Sequence, residues 1–237
     1  MSETYNDALA DAHQAYPERL LGLATLPMQD THLAVAETKR LAALPGIKGV
    51  YLATHIQGHE LSHPDFFPVY EVIEDAGLPI FLHPLKVIGM ERLRPYFLHN
   101  LLGNPFDSAV AAAHFIFGGV LDRFPRMDIC LPHAGGAFPY LVGGLHHGWS
   151  VRDECKHLEN RPGTHLRRFH YDTISHSEDS LGFLIGRVGA DRVMLGSDYC
   201  FDMGYERPVE VVTGHAALSG KDKAMNLGGN AARLLGL

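Results

Sequence analysis

The chain has 237 residues, 46% of them hydrophobic, and a formal net charge of −7 at pH 7. That length suits one large core burying roughly 70–75% of the unfolded surface, and interspersed charges without a basic stripe exclude nucleic acid and anionic membranes as expected partners. The three cysteines, Cys130, Cys155 and Cys200, form no CxxC pair, which fits a reducing cytoplasm and argues against a disulfide framework or a Cys-based zinc site.

The first residues, "MSETYNDALADAHQAYP", lack the apolar run of a signal peptide. No apolar stretch approaches membrane-spanning length, so a cytoplasmic location is expected. Tyr5, Ala8, Leu9, Ala12, Ala15 and Tyr16 share helical spacing, which predicts an amphipathic helix ended by Pro17. "LLGLATLP" (20–27) reads as a buried strand, "THLAVAETKRLAALPG" (31–46) as a helix and "IKGVYLA" (47–53) as a second strand. Val69, Val72, Ile73 and Ala76 again have helical spacing, closed by Gly77. "LPIFLHP" (78–84) is a third strand, followed by a longer connection (85–103) and the helix "NPFDSAVAAAHFIFGGVLDRF". Then come the strand "MDICLPH" (127–133), a polar stretch to about 167, the strand "RFHYDT" (168–173), a helix near 178–188, the strand "RVMLGSDY" (192–199) and the closing helix "DKAMNLGGNAARLLGL". Strands and helices alternate, and the strands are apolar on both faces. Both signs point to one parallel α/β domain over 1–237, a barrel or an open sheet, with six core strands.

Sixteen histidines stand in the chain, and position separates them. "IFLHP" ends on His83, "ICLPHAGG" on His133 and "VMLGSD" on Asp198, while Asp172 lies at the end of a fourth strand. Parallel α/β folds gather ligand groups at the C-terminal ends of strands. Imidazole nitrogens and carboxylate oxygens are ordinary ligands for zinc and similar ions. One such residue alone is more often a hydrogen-bonded structural element; three in one sheet favour a shared site. Asp172, just ahead of Thr173, reads as a structural cap, and Gly135-Gly136 as a tight turn allowing close backbone approach beside His133. His146-His147 lack HExxH spacing and are not taken as ligands; Tyr140 and Trp149 read as core or interface residues.

"GLATLPMQD", "FLHP", "GGVLDRFPRMDICLPHAGGAFPYLVG", "VMLGSDY" and "GNAARLLGL" occur in one order over nearly the whole chain. Together they resemble the aminocarboxymuconate-semialdehyde decarboxylase branch of the amidohydrolase superfamily. The resemblance implies a metal-dependent (β/α)8 TIM barrel and a carboxy-lyase acting on a small unsaturated or aromatic carboxylic acid. His83 matches the family's metal-binding histidine and Asp198 its metal-binding aspartate. His133 matches the catalytic histidine, with Asp198 as its catalytic partner. Arg152 is similar to an arginine that meets the substrate carboxylate, in some members across a subunit interface, although Asp153 follows it where Pro is common. The implied cofactor is a divalent ion, Zn²⁺ first, with Mn, Fe or Co also suited. The implied partners are a small carboxylic acid and a second copy in a homodimer or higher homo-oligomer.

The departures are specific. No H-x-H pair occurs, and the chain starts at the helix before what would be the third strand. Two strands and two ligands of the family pattern are therefore expected to be missing, which predicts exposed sheet edges and weak or absent metal binding, because stable sites use three or four ligands. Gly144 stands where Arg is common and Cys200 where Pro is common. An N-terminally shortened enzyme is preferred over a short relative that has lost its metal, because His83, His133 and Asp198 are retained. A lactonase-type hydrolase of the same superfamily and a non-catalytic relative are the alternatives.

Overall fold

In the computed structural model, which describes residues 1–237, the apolar runs form six short strands. These are β1 (Gly22–Thr25), β2 (Ile47–Ala53), β3 (Ile80–His83), β4 (Ile129–Leu131), β5 (Phe169–Asp172) and β6 (Val193–Met194). They make one sheet in sequence order, every neighbouring pair parallel. Parallel neighbours need crossovers. Helices supply them: α1 (Ser2–Ala15) precedes β1, α2 (Thr31–Leu41) joins β1 to β2 and α3 (Phe67–Asp75) joins β2 to β3. Then α4 (Asn104–Phe117) leads to β4, α5 (Phe138–Val151) follows it, and α6 (Glu178–Val188) leads to β6. A two-strand hairpin, His55–Ile56 with His59–Glu60, stands outside the main sheet.

Local chemistry sets the helix ends. Asp30 caps α2 by accepting from the Leu33 N–H at 3.0 Å, and Ser177 caps α6 by accepting from the Ser180 N–H at 3.2 Å. Proline opens both α4 and α5, where its missing N–H leaves nothing unbonded. Gly77 ends α3 with φ +64, as its position after Ala76 predicts. A cluster of 37 buried apolar residues joins the sheet to the helices, with Tyr70, Phe115, Phe138 and Phe169 fully enclosed.

At the two sheet edges, β1 and β6, asparagine side chains take up the backbone of one residue each. Asn6 on α1 accepts from the Thr25 N–H and donates to the Thr25 carbonyl, each at 2.9 Å, pairing with β1 as another strand would. Asn226 and Asn230 donate to the Val193 carbonyl at 2.8 and 2.7 Å. Occupied edge groups are poor templates for aggregation.

Several elements depart from their sequence patterns. In α1 the buried residues are Asn6 and Ala10, while Tyr5 and Tyr16 are 53% and 60% exposed. That helix docks through the Asn6 amide together with Leu9 and Ala10 rather than through its tyrosines. The helix expected over 104–124 breaks at Gly118-Gly119, the latter with φ +68, before a short turn Val120–Arg123. The polar stretch after β4 opens with α5, whose glycines and histidines hide its period. The final helix is interrupted by a wide turn at Met225–Gly229. The last strand stops at Met194, so Leu195–Asp198 lie beyond the sheet.

Candidate metal centre

His83 is the last residue of β3, and His133 follows the end of β4 by two residues. Asp198 lies four residues past β6. The parallel sheet puts all three at one end, and one nitrogen or oxygen of each lies within 4.8 Å of the others. The backbone is bent to achieve this: His133 has φ 55 and Asp198 φ 54, a region that L-residues seldom occupy. The turn holding Asp198 is fixed by the Tyr205 N–H donating to the Ser197 carbonyl at 2.7 Å and the Phe201 N–H to the Asp198 carbonyl at 3.1 Å.

The His83 ring is ready to act as a ligand. Its Nδ1–H donates to the Pro84 carbonyl at 2.9 Å, which leaves a lone pair on Nε2. That Nε2 is buried without a hydrogen-bond partner, 3.8 Å from Asp198 Oδ1. The rings of Tyr51 and Phe201 lie roughly parallel to the His83 ring, each centroid 6.1 Å away, and it meets His133 edge-on at 5.2 Å. His133 Nδ1 is likewise buried and unpartnered. Two buried nitrogens without partners beside a carboxylate fit a divalent cation, since unpaired buried polar atoms are otherwise costly.

Burial pushes the His133 imidazole down to about 4, with His83 and then His176 adding to it. At neutral pH the ring is therefore uncharged and able to take a proton or a metal. Burial raises the Asp198 carboxyl, against a lowering pull from His83 and His176. Burial likewise lifts the Tyr51 phenol to about 12, with Asp198 adding to it.

His133 and Asp198 also line a cavity of about 620 Å³, whose wall includes Ile174, His176, Tyr140 and Phe183. A second cavity of about 440 Å³, on the inner face of the sheet, brings in His83, Tyr51 and Met194 and shares His133 and Asp198. The cluster thus sits where the two spaces meet.

Arg152 lies elsewhere. It is exposed at the end of α5, its N–H donating to the Gly148 carbonyl at 2.8 Å, and it lines neither cavity. Tyr140, read from sequence as core or interface, is 81% exposed on the cavity wall, because the α5 face that carries it turns away from the sheet. Two further site residues, Tyr51 and His176, lie outside the strand-end pattern. Tyr51 is the one aromatic residue in β2, IKGVYLA, and that is the one signal that marks it. His176 has φ 53 and its N–H donates to the Tyr205 hydroxyl at 2.7 Å; nothing in its sequence neighbourhood announces either contact.

A family model described as amidohydrolase matches residues 1–237. The chain belongs to the amidohydrolase family. The 2-amino-3-carboxymuconate-6-semialdehyde decarboxylase of Dictyostelium discoideum is 34% identical over 239 residues, covering 100% of this chain and 67% of that protein. The crystal structure of 5-carboxyvanillate decarboxylase from Sphingomonas paucimobilis superposes with a TM-score of 0.89 at 30% identity, over 98% of this chain and 71% of the other. The 5-carboxyvanillate decarboxylase of Novosphingobium aromaticivorans, solved with manganese and a methoxy-hydroxy-nitrobenzoic acid, gives a TM-score of 0.86 at 25% identity, over 100% of this chain and 70% of the other. This amidohydrolase therefore shares the TIM-barrel-type α/β fold of those enzymes, with six parallel strands in its main sheet, and spans about seven tenths of the length of these solved relatives. No helix in it is long and apolar enough to cross a membrane.

Proposed function

We propose that this amidohydrolase is a metal-dependent carboxy-lyase that removes CO₂ from a small unsaturated or aromatic carboxylic acid. The observation that carries the reading is the meeting of His83, His133 and Asp198 at the strand ends, in a fold whose matched relatives are named decarboxylases. A cavity of about 620 Å³ beside the cluster is of the size that holds small ligands, ~300–1,000 Å³.

His83 Nε2 and an Asp198 oxygen would hold the ion, with His133 close enough to join them or to act beside them. Zn²⁺ suits this His/Asp set, and the manganese of the Novosphingobium relative makes Mn²⁺ the other choice. Bound there, the ion supplies positive charge against which negative charge on the substrate develops. The rest of the work falls to side chains. Loss of CO₂ leaves an electron pair on carbon, and one proton must reach that carbon to complete the product. His133, neutral at pH 7, and Asp198, its carboxyl raised by burial, are the two groups in the cavity wall suited to hold and move that proton. The rings of Tyr51 and Phe201 beside His83 help to orient its imidazole. Arg152, outside the cavities of its own subunit, would clamp a substrate carboxylate bidentately in the site of a second copy. Residues 1–237 act as one domain in this reading, in the cytoplasm that three unpaired cysteines suit.

The test is CO₂ release from a panel of hydroxybenzoates and unsaturated diacids after loading with Zn²⁺ or Mn²⁺. CO₂ in proportion to acid consumed is the expected result. Water added to the product without CO₂ would replace this reading by hydrolysis. Absence of both turnover and metal uptake would overturn it.

A further inference from the structure

Four successive residues after β4 have positive φ: His133 at 55, Ala134 at 55, Gly135 at 79 and Gly136 at 57. The glycines adopt this conformation without penalty and are needed for close approach. A Cβ on Gly136 would stand 2.1 Å from the Pro105 carbonyl oxygen, and one on Gly135 2.7 Å from the Tyr171 ring. His133 and Ala134 have no such licence, since Cβ crowds the backbone in the left-handed region. Something must hold them there.

That something is the neighbouring strand. Asp172, the last residue of β5, turns its carboxylate onto the strained pair. Oδ2 accepts from the His133 N–H at 3.0 Å and Oδ1 from the Ala134 N–H at 2.7 Å. Oδ1 also accepts from the Ile174 N–H at 2.9 Å, which anchors the carboxylate to its own strand end. Consecutive N–H groups converging on one carboxylate form an anion nest, and each bond is strengthened by the charge. Asp172 is not part of the metal cluster; it lines the smaller cavity with His83 and His133 and is absent from the wall of the larger one. We propose that Asp172 is a positioning residue for His133, its carboxylate locking the left-handed His133–Ala134 turn that presents the imidazole to His83 and Asp198. Only its catalytic readout rests on the decarboxylase reading.

Asp172→Asn tests it. An amide has one acceptor oxygen, so in either orientation an NH₂ confronts an N–H that the carboxylate had satisfied. Partners that orient a ligand without touching the metal are typically worth about 10–100-fold in metal affinity or activity. The expected result is a loss of that size in kcat and in Zn²⁺ affinity, with KM changed by less than about threefold. Adding Ala134→Gly to Asp172→Asn should restore about tenfold of the loss, because glycine enters the left-handed region without the carboxylate's help. An unchanged kcat and Zn²⁺ affinity, or a loss that Ala134→Gly does not relieve, would overturn the proposal. Amide hydrogen exchange in the unaltered protein decides the same point even if Asp172→Asn fails to fold. The His133 and Ala134 amides should exchange at least about 100-fold more slowly than unstructured ones, and free exchange would remove the clamp. If no acid releases CO₂, the decarboxylase reading falls, while Zn²⁺ affinity and exchange still judge Asp172.

Discussion

Two histidine–aspartate pairs occupy opposite ends of the same sheet and differ in what they are for. At the N-terminal end, His170 Nε2 meets Asp128 Oδ1 at 3.1 Å, with Arg192 Nη1 3.4 Å from the same nitrogen. At the C-terminal end, His83 Nε2 stops 3.8 Å from Asp198 Oδ1 and makes no hydrogen bond. The lower pair is in contact on relaxed backbone. The upper pair is held apart, with Asp198 and the nearby His133 in left-handed backbone. A His–Asp pair that has closed on itself is a structural bond; a pair kept open by unfavourable backbone has its lone pairs reserved for a third party.

The sharpest way to break this contrast is to remove one member of the upper pair. His83→Ala should abolish stoichiometric Zn²⁺ or Mn²⁺ uptake and lower kcat by about 10³-fold, the scale of several kcal/mol of lost charge stabilisation. The melting temperature of the metal-free protein should fall only modestly, since the Nε2 of His83 has no protein partner and the losses are the Nδ1–Pro84 bond and the ring contacts. Metal analysis and calorimetry on one preparation read both. Retained metal with a large fall in stability would make the upper pair structural like the lower.

A second, smaller effect lies in the pH dependence of the metal-free protein. His133 is held at about 4, below the ordinary ~6.5, so its contribution to stability is full above pH ~6.5 and is lost as pH falls toward 4. Asp172 is pushed up to about 6, chiefly by burial and against its three N–H donors, from an ordinary ~3.9. Its contribution is full below pH ~4 and is lost as pH rises through 6. The two slopes oppose each other, so the contributions of this pair should nearly cancel between pH 4 and 6. His133→Asn, which also tolerates left-handed φ, should leave stability falling with rising pH. Asp172→Asn should leave it rising. Each tilt is at most ~3 kcal/mol at 1.36 kcal/mol per pH unit. Urea titrations at several pH values measure them, and tilts of equal sign would show that the two groups are not independently displaced.

The sequence carries the upper site in part because strand ends are readable. His83, His133 and Asp198 each close an apolar run, and the parallel sheet that those runs imply brings them together without further information. The six strands follow from the same runs. What stayed hidden depends on contacts between distant segments. Asp172 reads as a local cap, and its Ile174 bond is one, but its bonds to His133 and Ala134 join residues 39 and 38 positions apart. Asp198 was expected on a strand and lies in a turn, because Gly196 and Gly204 let the chain leave the sheet after Met194. In α1 the tyrosines of the periodic set stay exposed, and a buried asparagine joins Leu9 and Ala10 in the contact, since an open strand edge requires hydrogen-bonding groups as well as apolar surface.

The least effect is expected at the lower pair, and it tests whether that pair is structure alone. Asp128→Ala removes the acceptor from His170, a residue only 4% exposed, whose Nδ1 already lacks a partner. Leaving a buried donor unsatisfied costs about 1–3 kcal/mol. The lower half of that range applies here, because the Asp128 side chain is itself 47% exposed and water can enter in its place. The His170 bond, first among several causes, holds the Asp128 carboxyl below its ordinary value. Its contribution is therefore present above the ordinary carboxylate pKa of ~3.9 and lost as the protein is acidified through the depressed value, so the difference between Asp128→Ala and the unaltered protein should vanish in strong acid. At neutral pH a loss of ~1–2 kcal/mol corresponds to a melting temperature lower by roughly 2–8 °C for a chain of this size. Zn²⁺ affinity and turnover of the folded fraction should not move, because nothing at this end touches His83, His133 or Asp198. A fall in metal affinity with Asp128→Ala would mean that the two ends are coupled through β4 and β5, the strands that carry Asp128 and His170 at one end and His133 and Asp172 at the other.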